Sequence, residues 1–461
     1  MLPEGRPLPG AVKQRVGHLL PGGLRSAAAV SGLLLLLFYV SSFNYRYSQD
    51  SSDLHRPVAL NWRALWPLSC SPMASTPTNL SHIVFGIIGS LNTWKGRKAY
   101  VESWWRPNVS RGYLFLDGPP EDESLLCPFT CPALLINENI THWDIYPKIK
   151  YPIQIRMVRS IVEAFRQGDQ DIRWFVMADD DSMLFVDNIV EVLSKYDHTK
   201  YFYLGASSET ILSNAVFMFE MGFGGAGFAV SYPLVAAMAE KLDGCIKRYP
   251  HSRTADYLIY ICILDLGVAI SPQKGFHQID LLGNIAGLLS SHPQSPLLSL
   301  HHINIVDPVF PSMNRSESIN HLMKPGRVDQ SRLAQQTICY QREMNWSVSV
   351  SWGYSAHIYE SILPRYILRK PIETFRPWMG EAKWPMFMFN TRPGDSTNPC
   401  EVPHWFFLES IQLGNEDDIV TTYSRAAKRG LIPCSLGGNH SADHIDRIQV
   451  FSPAKTRLEV N

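Results

Sequence analysis

Neither sign of charge is in excess in this chain: 42 Lys and Arg stand against 42 Asp and Glu. No basic face for a phosphate backbone is indicated, so no nucleic-acid partner is expected. The sequence has no CxxC pair and no paired-histidine spacing, which removes the common zinc modules. It has no Walker A motif. Its one glycine-dense stretch, Gly222-Phe-Gly-Gly-Ala-Gly-Phe228, falls one residue short of the GxGxxG dinucleotide fingerprint. It has no internal repeat, which excludes solenoids and propellers.

What remains is a globular composition, 45% hydrophobic and 18% charged over 461 residues, enough for two or three domains. All eight cysteines, Cys70 to Cys434, follow the first apolar segment. Cys127 and Cys131 flank Pro-Phe-Thr, and that spacing points to a disulfide loop. Six Asn-X-Ser/Thr sequons occur, at Asn79, Asn108, Asn139, Asn314, Asn345 and Asn439. Together with the cysteines they favour the lumen of the secretory pathway.

Residues 1–26 are Pro/Gly-rich and basic. Residues 27–43 form an uncharged run of 17 residues, at the short end for a membrane span and suited to the thinner membranes of the early pathway. The run lacks an Ala-X-Ala exit and has aromatic residues at its far edge, so it reads as an uncleaved signal-anchor. Its basic flank comes first, which places the tail in the cytosol and the rest in the lumen. Residues 44–80, punctuated by prolines, read as a stem. Residues 81–311 alternate strand-like and helix-like segments, the pattern of an α/β layer with a mostly parallel sheet. Residues 312–461 read as a β-rich module, with Met386–Phe389 and His404–Leu408 as strands.

The chain is organised around Arg173-Trp-Phe-Val-Met-Ala-Asp-Asp-Asp-Ser182. Its apolar run reads as a buried strand, and three carboxylates follow at once. In extended backbone Asp179 and Asp181 project to the same side. Two carboxylates at a strand tip suit a hard divalent cation that leaves positions open for phosphate oxygens. The plainer reading is an acidic turn capping a helix near Val186. The Gly224–Gly227 stretch brings backbone close to a ligand, or to another chain segment. Asp256 stands where a helix N-cap would stand. His277, His301 and His302 are candidate imidazole ligands.

This ordered set resembles the Fringe-type glycosyltransferases, a β-1,3-glycosyltransferase group with the GT-A fold. It is most similar to the plant Fringe-related proteins that carry a domain of unknown function. The resemblance rests on Trp174–Asp181, Gly224–Ser231, Gly275-Phe-His-Gln278, His292-Pro293, Ser299-Leu-His-His302, Ser347–Gly353 and Phe387–Pro393, and runs from about Ser81 to Pro453. It implies that the triplet is a DxD motif for Mn²⁺ and a nucleotide-sugar. Asp181 comes first as metal ligand and Asp179 second, with Asp180 nearer the ribose or sugar. The family's metal histidine falls at His301 or His302, with His277 as a third candidate. Gly224, Gly225, Ala226 and Gly227 would shape the donor and acceptor cleft. The family's Pro-Asp-Asp motif, which holds the catalytic base, reads Thr254-Ala-Asp256 here, so only Asp256 matches. Lys95, Arg97 and Lys98 fall where the family contacts the nucleotide, although a solvated helix face is the plainer reading.

The implied protein is a metal-dependent inverting transferase of the Golgi or ER lumen, anchored as a type II membrane protein. It would move a sugar from a UDP-sugar to a hydroxyl of a glycan or glycoprotein, forming a β-1,3 linkage. The alternatives are a non-catalytic glycan-binding or scaffold protein on the same fold, and a metal-dependent hydrolase.

Overall fold

The computed structural model describes residues 76–454, apart from 123–124, 128–129, 381–384, 395–397, 415–417, 433 and 435–440. The expected tail 1–26, the anchor 27–43, most of the stem 44–80 and Asn439 lie outside the described residues. Among those described, no helix is long and apolar enough to cross a membrane. The other five sequon asparagines are all exposed.

Seven strands form the first sheet: β1 (Ile83–Ile88), β2 (Arg111–Leu116), β3 (Ala133–Ile136), β4 (Trp174–Asp179), β5 (Tyr203–Gly205), β6 (Phe228–Ser231) and β7 (Ser271–Pro272). Their order is β3-β2-β1-β4-β6-β5-β7. Every pairing is parallel except the two made by β6, which runs against β4 and β5. The sheet is therefore mixed and mostly parallel, as expected. Both faces are covered. Along β1, Ile83, Phe85 and Ile87 join one apolar cluster while Val84 and Ile88 join another. β4 alternates likewise, with Trp174, Val176 and Ala178 against Phe175 and Met177. Burial on both faces is why these strands read as unbroken apolar runs. The second cluster also takes in helices Pro152–Phe165, Tyr232–Arg248 and Ala255–Leu264.

A second sheet of six antiparallel strands follows in simple chain order: β8 (Gln336–Gln341), β9 (Trp346–Ser351), β10 (Ser355–Tyr359), β11 (His404–Leu413), β12 (Asp418–Arg425) and β13 (Arg447–Pro453). Its core residues Val350, Tyr354, Phe406 and Tyr423 belong to the same cluster as Ile83 and Trp174. Disulfides join Cys127 to Cys131, as the spacing suggested, Cys245 to Cys262, and Cys400 to Cys434.

Two expectations fail locally. Met386–Phe389 is not a strand. Phe387 makes an isolated bridge to Thr210, and the Met388 N–H bonds Glu209 O. Four apolar residues satisfied a strand pattern, but their backbone clips onto the loop after β5. The helix after Arg253 begins at Ala255, and its N-cap is Thr254, whose hydroxyl accepts the Tyr257 N–H. Asp256 lies inside the first turn, which frees its carboxylate for other work.

Topology decides where the chemistry sits. Because β6 is antiparallel to β4, with Met177 opposite Phe228, the loop that precedes β6 meets the loop that follows β4. The segments after β1, β4, β5 and β7 leave the sheet on that same rim. In open α/β sheets this rim is the ligand-binding edge.

Candidate active site

The acid turn is tied down on three sides. The Asp180 N–H bonds Ile88 O at the end of β1, at 3.0 Å, and the Ser182 N–H closes back on Asp179 O at 3.1 Å. Ser182 Oγ donates to Gly225 O at 2.6 Å, and Trp104 Nε1 donates to Ser182 O. The triplet does not cap the next helix, Val186–Leu193, whose N-cap is Phe185 with no side-chain bond. The acidic-cap reading is therefore set aside.

Asp180 and Asp181 are buried, and Asp179 keeps 26% of its side chain open. Arg97 reaches in from helix Leu91–Trp104, 2.8 Å from Asp180 and 3.1 Å from Asp181. Thr93 Oγ1 donates to the other Asp180 oxygen. Arg97 is thus not a solvated helix face, since it balances the buried acids. Lys98 pairs with Glu102, and Lys95 is exposed.

Of the three candidate histidines, His301 joins the acids. Its Nε2 lies 3.1 Å from Asp181 Oδ1 and 3.7 Å from Asp179 Oδ2. His302 has left-handed backbone, φ 62°, and its ring goes to Asp280 at 3.1 Å and packs on Trp378. His277 pairs with Glu209 instead.

Asp179, Asp181 and His301 can each bring one ligating atom within 4.8 Å of the others. Neither Asp181 oxygen, nor His301 Nδ1, has a well-formed hydrogen bond despite burial. Buried polar atoms without well-formed hydrogen bonds are costly, and a cation held between the two carboxylates and His301 Nε2 would satisfy the Asp181 oxygens. The donor set fits a divalent ion such as Mn²⁺.

The acids titrate apart. Burial, reinforced by Asp181 and Asp256 and only partly offset by His301, pushes Asp179 up to about 7. Burial acts on Asp181 in the same sense, but His301 and Arg97 outweigh it and hold its carboxyl down at about 2. Burial also raises Asp180, against the pull of Arg97. His301 is lowered by burial, but Asp181 and Asp179 outweigh that and raise it.

Asp256 reaches the same glycine loop at Gly224. Burial raises its pKa, against the Gly224 backbone N–H that bonds it. A side chain on Gly224 would collide with Asp256, and one on Gly225 would collide with the His301 ring. The absence of side chains at Gly224 and Gly225 thus lets Asp256 and His301 both come up against the same loop. Ala226 is spent on scaffolding: its N–H bonds Gln278 Oε1 and its carbonyl accepts Ser299 Oγ. Gly227, at φ 84°, closes the turn on Gly224 O. Beside this loop lies a cavity of about 230 Å³ bounded by Thr254, Asp256, Asp280, His302 and Trp378. Ile279 and Asp280, like His302, have positive φ. Such strain gathers where surrounding structure holds a site in place. Asp280 and Trp378 had escaped sequence reasoning. No motif marks either, and Trp378 arrives from beyond residue 311, its N–H bonding Asp280 O.

A family model described as "Protein of unknown function, DUF604" matches residues 213–460. The chain is 27% identical over 199 residues to a β-1,3-N-acetylglucosaminyltransferase lunatic fringe of Danio rerio, covering 38% of this chain and 48% of that protein. The corresponding Xenopus laevis protein is 28% identical over 156 residues, covering 31% and 38%. The chain spans at most about half the length of these curated relatives. Among solved structures, the mannosyltransferase PcManGT from Pyrobaculum calidifontis, in complex with GDP-Man and Mn²⁺, has TM-score 0.29 and 11% identity, covering 54% of this chain and 67% of that one. Core-mannan synthase A of Aspergillus fumigatus has TM-score 0.26 and 9% identity, covering 40% and 69%.

Proposed function

The chain belongs to the DUF604 family, and from that premise we propose that it is a Fringe-like, metal-dependent inverting glycosyltransferase on a GT-A fold. The observation that carries the proposal is that Asp256 packs against Gly224 while His301, from the Asp179–Asp181–His301 cluster, packs against the adjacent Gly225, at the sheet rim. The lunatic fringe relatives, named as β-1,3-N-acetylglucosaminyltransferases, support a nucleotide-sugar donor, here UDP-linked, and a β-1,3 linkage to a glycan or glycoprotein hydroxyl.

Asp179, Asp181 and His301 would hold a divalent ion, which when bound neutralises charge developing on the leaving diphosphate. Asp180, fixed by Arg97 and Thr93, lines the donor side of the same cluster. Asp256 takes the proton from the acceptor hydroxyl as its oxygen attacks the anomeric carbon. The new C–O bond forms as the bond to the diphosphate breaks, and the electron pair leaves with the nucleoside diphosphate. One base opposite one leaving group gives inversion. Burial raises the Asp256 pKa, which makes it a stronger base than a solvated carboxylate. The remaining features fit a luminal enzyme of the Golgi or ER: residues 27–43 as a type II anchor, residues 44–80 as stem, and the six sequons as glycosylation sites.

The test uses the full-length chain with Mn²⁺ and a panel of UDP-sugars. Asp181→Ala should abolish transfer with the fold intact. Asp256→Asn should lower turnover by about 10²–10⁴-fold while donor binding persists. Undiminished transfer by Asp181→Ala would overturn the metal assignment, and lost donor binding in Asp256→Asn would move that residue to the donor side.

A further inference from the structure

The site described above uses alternate residues of the segment after β7. Gln278 holds the Ala226 N–H, and Asp280 meets His302. His277 lies one residue before Gln278 and pairs elsewhere. Its Nδ1 is 2.8 Å from Oε1 of Glu209, and Nε2 of His292 is 3.9 Å from that same oxygen. We propose that Glu209, His277 and His292 form a second divalent-cation site, separate from the acid cluster and suited to an ion of the zinc class.

Four observations carry the proposal. First, one ligating atom from each of the three residues lies within 4.8 Å of the others, so little movement is needed to enclose an ion. Second, Glu209 and His277 are over nine-tenths buried, and among the described residues the ion-pair partners of this buried carboxylate are the two histidines. A buried carboxylate needs compensating positive charge, which a bound cation would supply. Third, His277 Nε2 is buried without a hydrogen-bond partner, so the polar capacity of the cluster is not used up internally. Fourth, the three residues border a cavity of about 340 Å³, which leaves coordination positions open to water or a small ligand.

The surroundings hold the ligands in place. Glu209 Oε2 accepts the Ile279 N–H at 2.5 Å, which turns Oε1 toward the histidines. The His292 ring packs on Phe389 with centroids 4.0 Å apart. Phe389 is positioned because the Met388 N–H bonds Glu209 O. The cavity's Lys274 is exposed, so its ammonium can remain in solvent.

The donor sets of the two sites differ. Two imidazoles and one carboxylate match zinc-type sites, whereas an oxygen-rich cluster favours harder ions. The sites are also linked through backbone, since the His301 N–H bonds His277 O at 3.0 Å. His301 and His277 thus face different clusters from adjoining segments.

The experiment is Zn²⁺ uptake by the full-length chain, measured by equilibrium dialysis and elemental analysis. Asp181→Ala, which disables the acid cluster, should still retain about one equivalent of Zn²⁺. Adding His292→Phe to that variant should remove the equivalent, because the new ring keeps the packing on Phe389 but offers no ligand. Co²⁺ in place of Zn²⁺ should give visible absorption bands in the first variant and none in the second. Circular dichroism confirms that both are folded, and His292→Gln replaces His292→Phe if the latter is not. The proposal falls if Asp181→Ala takes up no Zn²⁺, or if the double variant takes up as much as the single one.

Discussion

A side-chain carbon on Gly224 would sit 2.5 Å from Oδ1 of Asp256. Only a residue without one lets the loop pass the carboxylate. Gly224→Ala should therefore displace Asp256 by a fraction of an ångström to an ångström. That costs about 10²-fold in turnover while Mn²⁺ affinity stays within a few-fold. Steady-state rates at saturating donor and metal, set beside a metal titration, check this. An unchanged rate would detach Asp256 from the chemistry.

His301 and His302 are neighbours with opposite duties. His301→Ala removes a group 3.1 Å from Asp181 and should weaken Mn²⁺ binding at least tenfold. His302→Ala, which loosens Asp280 and Trp378, should leave Mn²⁺ affinity nearly unchanged. The electron paramagnetic resonance signal of free Mn²⁺ reads both. A reversed ranking would exchange their roles.

Arg97 is the main counter-cation of Asp180. Arg97→Ala should destabilise the fold by about 2–3 kcal/mol, below the cost for a fully buried pair because the guanidinium is partly exposed. Added Mn²⁺ should raise the melting temperature of the variant more than that of the parent, since the ion takes over part of the lost compensation. Equal gains would mean that the two cations do not share these acids.

Acid sensitivity has a source in the second sheet, on strand β10. Burial, aided by Arg392, pushes the His357 imidazole down to about 3. Below its ordinary value of 6.5 the unfolded chain binds a proton there that the folded chain refuses. Stability is therefore lost as pH falls from 6.5 toward 3, by about 1.4 kcal/mol per unit. His357→Phe, which keeps the aromatic contact with Trp405, should flatten the pH dependence of the urea midpoint between 7 and 5. An unaltered slope would refute the assignment.

The elements most legible from sequence are those buried on both faces. β1 and β4 appear as unbroken apolar runs because nothing polar is tolerated on either side. The acid triplet was legible because three adjacent carboxylates need a special setting. The choice between His301 and His302 was not, since spacing places both nearby. It is decided by a left-handed backbone at His302, which a non-glycine residue does not advertise. Thr254 and Asp256 are both competent caps, and only the helix's start separates them. Glu209, His277 and His292 are brought together by three different segments, so no spacing rule could find them.

Around the rim, Asp179, Asp180, Asp181, Asp256 and Asp280 confront Arg97 and His301, so acidic groups outnumber the cations facing them. A diphosphate arriving alone would meet electrostatic repulsion. On the proposed reading, this imbalance favours arrival of the metal before the donor, and makes the empty cleft an unattractive host for stray nucleotides.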